Sequence, residues 1–326
     1  MTTPFCDRSR ARLGPAGRPT STTLTLGLAA PASNDSLMIN ALSFDIEDWF
    51  HMVEIDAVAD PSKWGDLPSI VVERTRWIVE VLEEKGVRAT FFLLGWVARR
   101  HPELAKVIAA HGHELASHAF WHLRVDRMTP EAFREELKQS IDVIEDQCGR
   151  KVLGFRAPSF SITPGAEWAF DVMHELGLEY DASLFPAPRG HGGYPCPPEP
   201  HRFTAAPSGR AMPELPMTTV RYGRLRLAFS GGGYLRLLPA PLIRHGFRHV
   251  HRRGRPVVVY LHPRDFAPDC PRVPMPLHRR FKCYVGLRST ESKFRMMLDR
   301  YRFDTCAAVL GIGEGEEPRM DTDGHG

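Results

Sequence analysis

The sequence predicts an α/β protein built from parallel βα units, and three observations lead there. Strand-type and helix-type apolar patterns alternate along the middle of the chain. The 326 residues suffice for one barrel-sized domain of ~250 residues with an appendage. A hydrophobic content of 43%, with 42 Lys and Arg against 39 Asp and Glu, is that of a folded protein able to bury a large core.

Residues 1–37 are rich in Pro, Gly, Ser, Thr and Ala without apolar periodicity, so they read as a disordered N-terminal extension. The fold is expected to begin at Met38, itself a candidate translation start. Within the extension, Thr22 to Ala32 imitates a signal peptide only weakly, because its apolar stretch is short and Thr-rich. Export through it is not expected, which leaves a cytoplasmic or membrane-peripheral location.

Strands are expected at Ile39 to Phe44, Ala89 to Leu94, Val152 to Phe155 and Val257 to Leu261. Between them lie helical patterns at Ser69 to Lys85, Ala98 to Ala110, Thr129 to Gln147 and Ala166 to Leu176. In the first helix Ile70, Trp77, Ile78, Val81 and Leu82 recur at helical spacing behind Ser69, a candidate cap. In the third, Thr129 caps, Pro130 takes the first helical position and Gly149 marks the stop. Pro186 to Pro216, dense in Pro and Gly, reads as a long irregular surface loop. A proline-rich bridge, Pro268 to Pro276, leads to a last helix, Ser289 to Tyr301, and the acidic, Gly-rich end beyond Gly311 reads as a disordered tail. The expected division is 1–37 extension, 38–268 main domain, 269–311 C-terminal extension packed on it, and 312–326 tail.

Composition also excludes some functions. A net charge of +3 is too small to make a long-range field that gathers nucleic acid. The basic run Arg244 to Arg255 contains a single aromatic residue, Phe247, and reads as a solvated helix face. Six scattered cysteines without a C-x-x-C pair indicate neither a zinc ribbon nor a disulfide scaffold. No window reaches the ~20 apolar residues of a membrane-spanning helix.

Four segments carry chemistry. The first strand ends in SFDIEDWFH, which groups Asp45, Glu47 and Asp48 where parallel α/β folds place their sites. Side chains alternate along an extended chain, so Asp45 and Glu47 share one side. GHELASHAFWH contains His113, Glu114, His118 and His122; on a helical turn, a spacing of four puts His118 and His122 on one face as metal ligands. Two His and one carboxylate leave positions open for water and substrate. In GFRAPSFSIT, Arg156 follows a strand and is suited to orient a carboxylate beside the metal. In VVVYLHPRDF, His262 ends the most strand-like run, where an acid or base belongs.

Taken in order, these segments resemble the polysaccharide deacetylases of NodB-homology type, carbohydrate esterase family four, over residues 38 to 265. The resemblance implies a distorted (β/α) barrel that removes N-acetyl groups from sugar polymers. It places the base on Asp45, the metal on Glu47 or Asp48 with His118 and His122, and the base-orienting arginine on Arg156 beside Pro158. It also implies an acetyl pocket from Asp181, Ser183 and Leu184, and the general acid His262 beside Leu261. The usual adjacent Asp-Asp is replaced by Asp-Ile-Glu-Asp, so the carboxylate ligand stays open between Glu47 and Asp48. The implied metal is zinc, with cobalt or nickel as alternatives, and the implied partner is an N-acetylated polysaccharide.

A narrower similarity, to deacetylases of bacterial exopolysaccharide and exosortase-type gene clusters, rests on SFDIEDWF and on Phe281 to Phe303. It implies an exopolysaccharide substrate and peripheral contact with an export machinery. Gly231 to Gly233 suggests a loop of close backbone approach. Two alternatives remain on the same barrel: a metal-independent hydrolase of small amides or cyclic imides, and a non-catalytic carbohydrate-binding relative.

Overall fold

The computed structural model describes residues 38–52, 55–188, 192–223 and 225–313. The expected disordered extension at 1–37, and residues 314–326 of the expected tail, lie outside them. Eleven strands lie among these residues: β1 (Ile39–Ile46), β2 (Thr90–Leu93), β3 (Glu114–Ser117), β4 (Gly154–Phe155), β5 (Tyr180–Asp181), β6 (His201–Phe203), β7 (Met212–Glu214), β8 (Thr219–Tyr222), β9 (Leu225–Ala228), β10 (Val258–Leu261) and β11 (Arg302–Asp304). One sheet runs in the order β10-β1-β2-β3-β4-β5-β7-β6, with β11 also pairing β1, while β8 and β9 form a separate hairpin. Every pairing in the large sheet is parallel except β6 with β7.

The helices that connect and cover it are α1 (Val71–Lys85), α2 (Gly95–Arg100), α3 (Pro102–Ala110), α4 (Pro130–Cys148), α5 (Trp168–Glu175), α6 (Gly232–Leu237), α7 (Ala240–His251), α8 (Leu277–Tyr284), α9 (Thr290–Arg300) and α10 (Cys306–Leu310). This is the expected α/β barrel class, with a curled sheet whose strands are buried on both faces. Alternation along β1 shows how. Leu42, Phe44 and Ile46 join the core between sheet and helices, whereas Ala41 joins the inner cluster with Phe92, Ala116, Tyr180 and Val258. Asp45 lies on the inner side of that alternation, at the end of the strand.

Two helix ends follow local chemistry. Thr129 caps α4 by accepting from Ala132 N, and Gly149 closes it in the left-handed conformation. Other elements depart from expectation. The helix expected at Ala98 to Ala110 is two helices, because Pro102 cannot continue the first and instead opens the second. Ser69 is not the N-cap residue of α1, which is Ile70, but its hydroxyl accepts from Val71 N at 3.4 Å and donates to Asp48 at 2.5 Å. The expected irregular loop Pro186 to Pro216 contains β6 and β7, and β7 pairs β5 in parallel at Asp181 and Glu214.

The C-terminal extension is woven into the sheet. β11 pairs the start of β1, and α10 closes the interior at the strands' N-terminal ends, where Cys306 N donates to Thr90 Oγ1 and Ala307 N to Glu114 Oε2. The basic run at Arg244 to Arg255 falls mostly on α7, whose inner face is Ile243, Phe247 and Val250.

Candidate active site

The C-terminal ends of β1, β3, β4 and β10 deliver side chains to one open cleft of about 340 Å³. Asp45 is the penultimate residue of β1, and a tight turn in which Glu47 N donates to Asp45 O brings Glu47 to the same cleft. Below them, Arg156 is fully buried just after β4. Its Nη1 donates to Asp45 Oδ1 at 2.8 Å and to Ser43 Oγ at 2.9 Å, and its Nε donates to Ala182 O at 3.2 Å. The guanidinium also lies 4.0 Å from the centre of the Phe92 ring, so the buried cation is held by a carboxylate, a hydroxyl, a carbonyl and an aromatic face.

His118 and His122 follow β3 on a loop, not on the helical turn considered from their spacing. Ala119 and His122 take left-handed backbone conformations, with φ of 62° and 58°, and fold the loop so that the two rings come to 5.2 Å between centroids. Ser159 and Phe160, which line the same cleft, are the other non-glycine residues of positive φ among the described residues. Backbone of this kind costs of order 1–3 kcal/mol per residue and persists where surroundings hold it, which marks a functional location.

Glu47, His118 and His122 each present a ligand atom within 4.8 Å of the others. Glu47 Oε2 is buried and sits 2.6 Å from His122 Nε2. His118 Nδ1 donates to Arg156 O at 2.8 Å, which leaves Nε2 unprotonated toward the cleft. Burial lowers His118 to about 4, so the ring is neutral at physiological pH. Burial pushes the Glu47 carboxyl up, but His122, His262 and Arg264 outweigh it and hold the group well below the usual range. An ionised carboxylate, the neutral His118 ring and the His122 ring converging on one point form the donor set of an open divalent-metal site, so the residues fit such an ion.

His262 follows β10. Its Nε2 is 3.9 Å from Asp45 Oδ2 and 3.6 Å from Glu47 Oε1, and its Nδ1 is 3.2 Å from Asp265 Oδ2. Burial lowers the affinity of His262 for a proton, but the hydrogen bond and charge of Asp265, with Glu47, more than restore it and raise its pKa. Asp265 is itself held by Arg236 Nε at 3.1 Å. Gly232 lies against the Asp265 carboxylate so closely that a Cβ there would overlap it, which accounts for one of the three consecutive glycines.

The remaining expected site residues lie elsewhere. Asp48 stays out of the metal group because its carboxylate accepts from Trp49 N at 2.9 Å, Ser69 Oγ at 2.5 Å and Ile70 N at 3.2 Å, which ties β1 to the start of α1. Asp181 is fully buried, bonded to Ser183 Oγ and N, and Ser183 Oγ in turn accepts from Ala157 N at 2.7 Å. That network fixes the strand that carries Arg156; it does not face the cleft. Leu184 and Leu261 are buried in the outer core, and buried Pro158 opens the turn that aims Ser159 and Phe160. His113 and Glu114 also sit apart, Glu114 bridging Thr90 Oγ1 and Tyr180 OH.

Sequence reading missed Asp265, His51 and the α8 wall of the cleft. An acid three residues after His262 was the available signal for Asp265, since the pair forms a capping box on the turn Pro263–Phe266. His51 Nδ1 accepts from Asp48 N at 2.8 Å, and burial lowers the ring to about 3.

Residues 64–180 match the polysaccharide deacetylase family, and residues 182–311 match a domain of unknown function (DUF3473). A chitooligosaccharide deacetylase of Rhizobium leguminosarum bv. trifolii is 38% identical over 74 residues, 23% of this chain and 34% of its own length. A peptidoglycan-N-acetylglucosamine deacetylase of Bacillus cereus is 29% identical over 122 residues, 34% of this chain and 44% of its own length. The chain thus spans less than half the length of either relative. Among solved structures, a Mycobacterium smegmatis protein classed with the polysaccharide deacetylases superposes with a TM-score of 0.55 at 19% identity, covering 87% of this chain and 92% of the other. PuuE allantoinase gives 0.57 at 13% identity, covering 89% and 96%. These two share the barrel fold.

Proposed function

We propose that this chain, whose residues 64–180 match the polysaccharide deacetylase family and whose residues 182–311 match DUF3473, hydrolyses the N-acetyl group of N-acetylhexosamine units in a bacterial polysaccharide. The observation that carries this reading is the convergence, in one cleft, of the Glu47, His118 and His122 group with the Asp45–Arg156 and His262–Asp265 pairs.

Glu47, His118 and His122 would hold the metal, zinc on its N, N, O donor set. A bound divalent ion supplies Lewis acidity, lowering the pKa of water and polarising the acetamide carbonyl. Asp45 takes the proton of the attacking water, with Arg156 fixing one carboxylate oxygen and leaving Oδ2 for the proton. His262 gives a proton from Nε2 to the departing amine, while Asp265 holds Nδ1 and favours the protonated ring. The N–C bond breaks to leave acetate and a glucosamine-type amine.

No helix among the described residues is long and apolar enough to cross a membrane. The similarity of SFDIEDWF and of Phe281 to Phe303 to exopolysaccharide-cluster deacetylases supports an exopolysaccharide substrate and peripheral contact with an export machinery. Acetate release from a panel of N-acetylated oligosaccharides tests the reading. Release from sugars of several units, at rates above those on simple amides, is expected. Turnover confined to small amides or cyclic imides would replace it.

A further inference from the structure

The loop that carries His118 and His122 is held by two helices, one of which has no part in the proposed chemistry. Ala119 and His122 in that loop are left-handed, and such backbone keeps its shape only where neighbours hold it. α2 holds the loop carbonyls. Gly95 N donates to Ala119 O at 2.9 Å and Trp96 N to Phe120 O at 3.0 Å, while the Arg99 guanidinium lies 4.6 Å from the centre of the Phe120 ring. Gly95 is so close to that ring that a Cβ would overlap it.

α4 holds the loop amides. Its inward face is apolar through Phe133, Leu137, Ile141 and Ile144, yet Glu136 and Ser140 are buried among them. Four residues apart, these two lie one turn from each other on the same face. Ser140 Oγ shares a hydrogen bond of 2.9 Å with Ser117 Oγ, which accepts from Ala119 N at 3.2 Å. Glu136 Oε1 accepts from Trp121 N at 2.7 Å, and the amides of Phe120 and Leu123 also favour its charge. A carboxylate buried on an apolar face costs stability unless its oxygens are used, and here the use is the backbone of the His loop. One helix thus holds the chain directly after His118 and directly before His122.

We propose that Glu136, supported by Ser140, is a positioning residue of the metal centre: through the loop backbone, α4 sets the separation and aim of the His118 and His122 rings, and so the affinity for the ion. This rests on the metal-dependent reading of the cleft. Without the Glu136 acceptor the Trp121 N–H is left unpaired, the left-handed backbone at His122 loses its support, and the His122 ring moves away from Glu47 and His118. Groups that orient metal ligands from outside the coordination set are worth about 10- to 100-fold in metal affinity.

The test measures zinc affinity of the metal-stripped full chain by competition with a chromophoric chelator, together with thermal melting, for the parent and for Glu136→Ala, Glu136→Gln, Ser140→Ala and Ile144→Ala. Ile144→Ala opens the same face of α4 away from the loop and is the control for mere destabilisation. Glu136→Ala is expected to weaken zinc binding about 10- to 100-fold. Glu136→Gln should weaken it less, since its amide oxygen still accepts from Trp121 N, and Ile144→Ala should lower the melting temperature with zinc affinity unchanged. Hydrogen exchange over residues 118–123 should quicken in metal-free Glu136→Ala and not in Ile144→Ala. Zinc affinity unchanged in folded Glu136→Ala, or a loss matched by Ile144→Ala, overturns the positioning role. If Glu136→Ala does not fold, Ser140→Ala decides: weakened zinc beside an unaffected Ile144→Ala supports the role, and unchanged zinc overturns it. A parent that binds no zinc removes the metal site and this role together, whereas a zinc-binding parent with indifferent variants removes the role alone.

Discussion

His118 Nδ1 lies 2.8 Å from the backbone oxygen of Arg156, the residue whose guanidinium holds Asp45 at 2.8 Å. One buried arginine thus orients a candidate metal ligand through its carbonyl and the candidate base through its side chain. On the proposed function, metal binding and water activation would share a support, and Arg156 can be tested for both. Arg156→Lys should retain the carbonyl contact but lose the fork to Asp45, Ser43 and Ala182, so turnover should fall more than metal affinity. Parallel loss of both, in a folded variant, would show that the two functions are not separable at this residue.

Removing a ligand should remove the metal. His118→Ala or His122→Ala deletes one of three protein donors, so bound zinc and activity should fall together, as read by elemental analysis and acetate release. Tightly bound stoichiometric zinc in the double variant would reject the assignment.

The two neighbouring acids should part company. Glu47→Gln replaces a carboxylate ligand by a weak amide donor and should lose metal. Asp48→Asn should keep it, because Asp48 bonds to Trp49, Ser69 and Ile70 instead. The cost there should be stability, about 1–3 kcal/mol for weakened buried hydrogen bonds, read by denaturant melts. Metal loss in Asp48→Asn with Glu47→Gln unaffected would invert the roles.

Base and acid are distinguishable by substrate. Asp45→Asn should retain metal while lowering turnover by roughly 10² to 10⁴ on amide and activated ester alike. His262→Ala should be rescued in part on an activated ester, whose leaving group needs no proton. An equal defect of His262→Ala on amide and activated ester would contradict this division of labour.

A pH prediction comes from Asp181, which was expected to line the acetyl pocket, and the residue it pairs with, Glu214. Glu214 and Asp181 are paired across β7 and β5, fully buried. Burial first, and then the charge of Asp181, raise Glu214 well above its usual 4.5. The folded state therefore binds more protons than the unfolded chain above that value, and stability must fall as pH rises. Glu214→Gln should flatten this loss as pH rises above the ordinary 4.5 of Glu214, measured by melting temperature. The same slope in variant and parent would mean that the pair does not hold the proton.

Much of the site was legible because its residues sit at strand ends, where an apolar run stops abruptly at Asp45, Arg156 or His262. Parallel βα order then brings those ends to one side of the sheet. The His pair was found by spacing but given the wrong backbone, since nothing local signals that Ala119 and His122 go left-handed. Pro102 was a readable helix break that the apolar periodicity across it obscured. The role of Asp181 and Ser183 was not readable, because β7 supplies Glu214 from a segment whose prolines conceal a strand. The α8 wall was hidden for a different reason: its residues read as ordinary surface cations until Arg236, which donates to Lys282 O, and Gly286, packed against the Arg236 backbone, fix the helix beside the cleft.

The most direct measurement is a metal titration of the stripped protein with acetate release and zinc binding followed together on an N-acetylglucosamine oligomer. Activity is expected to be absent without metal, to rise in proportion to occupancy and to plateau at one ion per chain. Full turnover in the metal-free protein, or stoichiometric zinc without acetate from any N-acetylated sugar, would contradict the assignment of this cleft as a metal-dependent deacetylase.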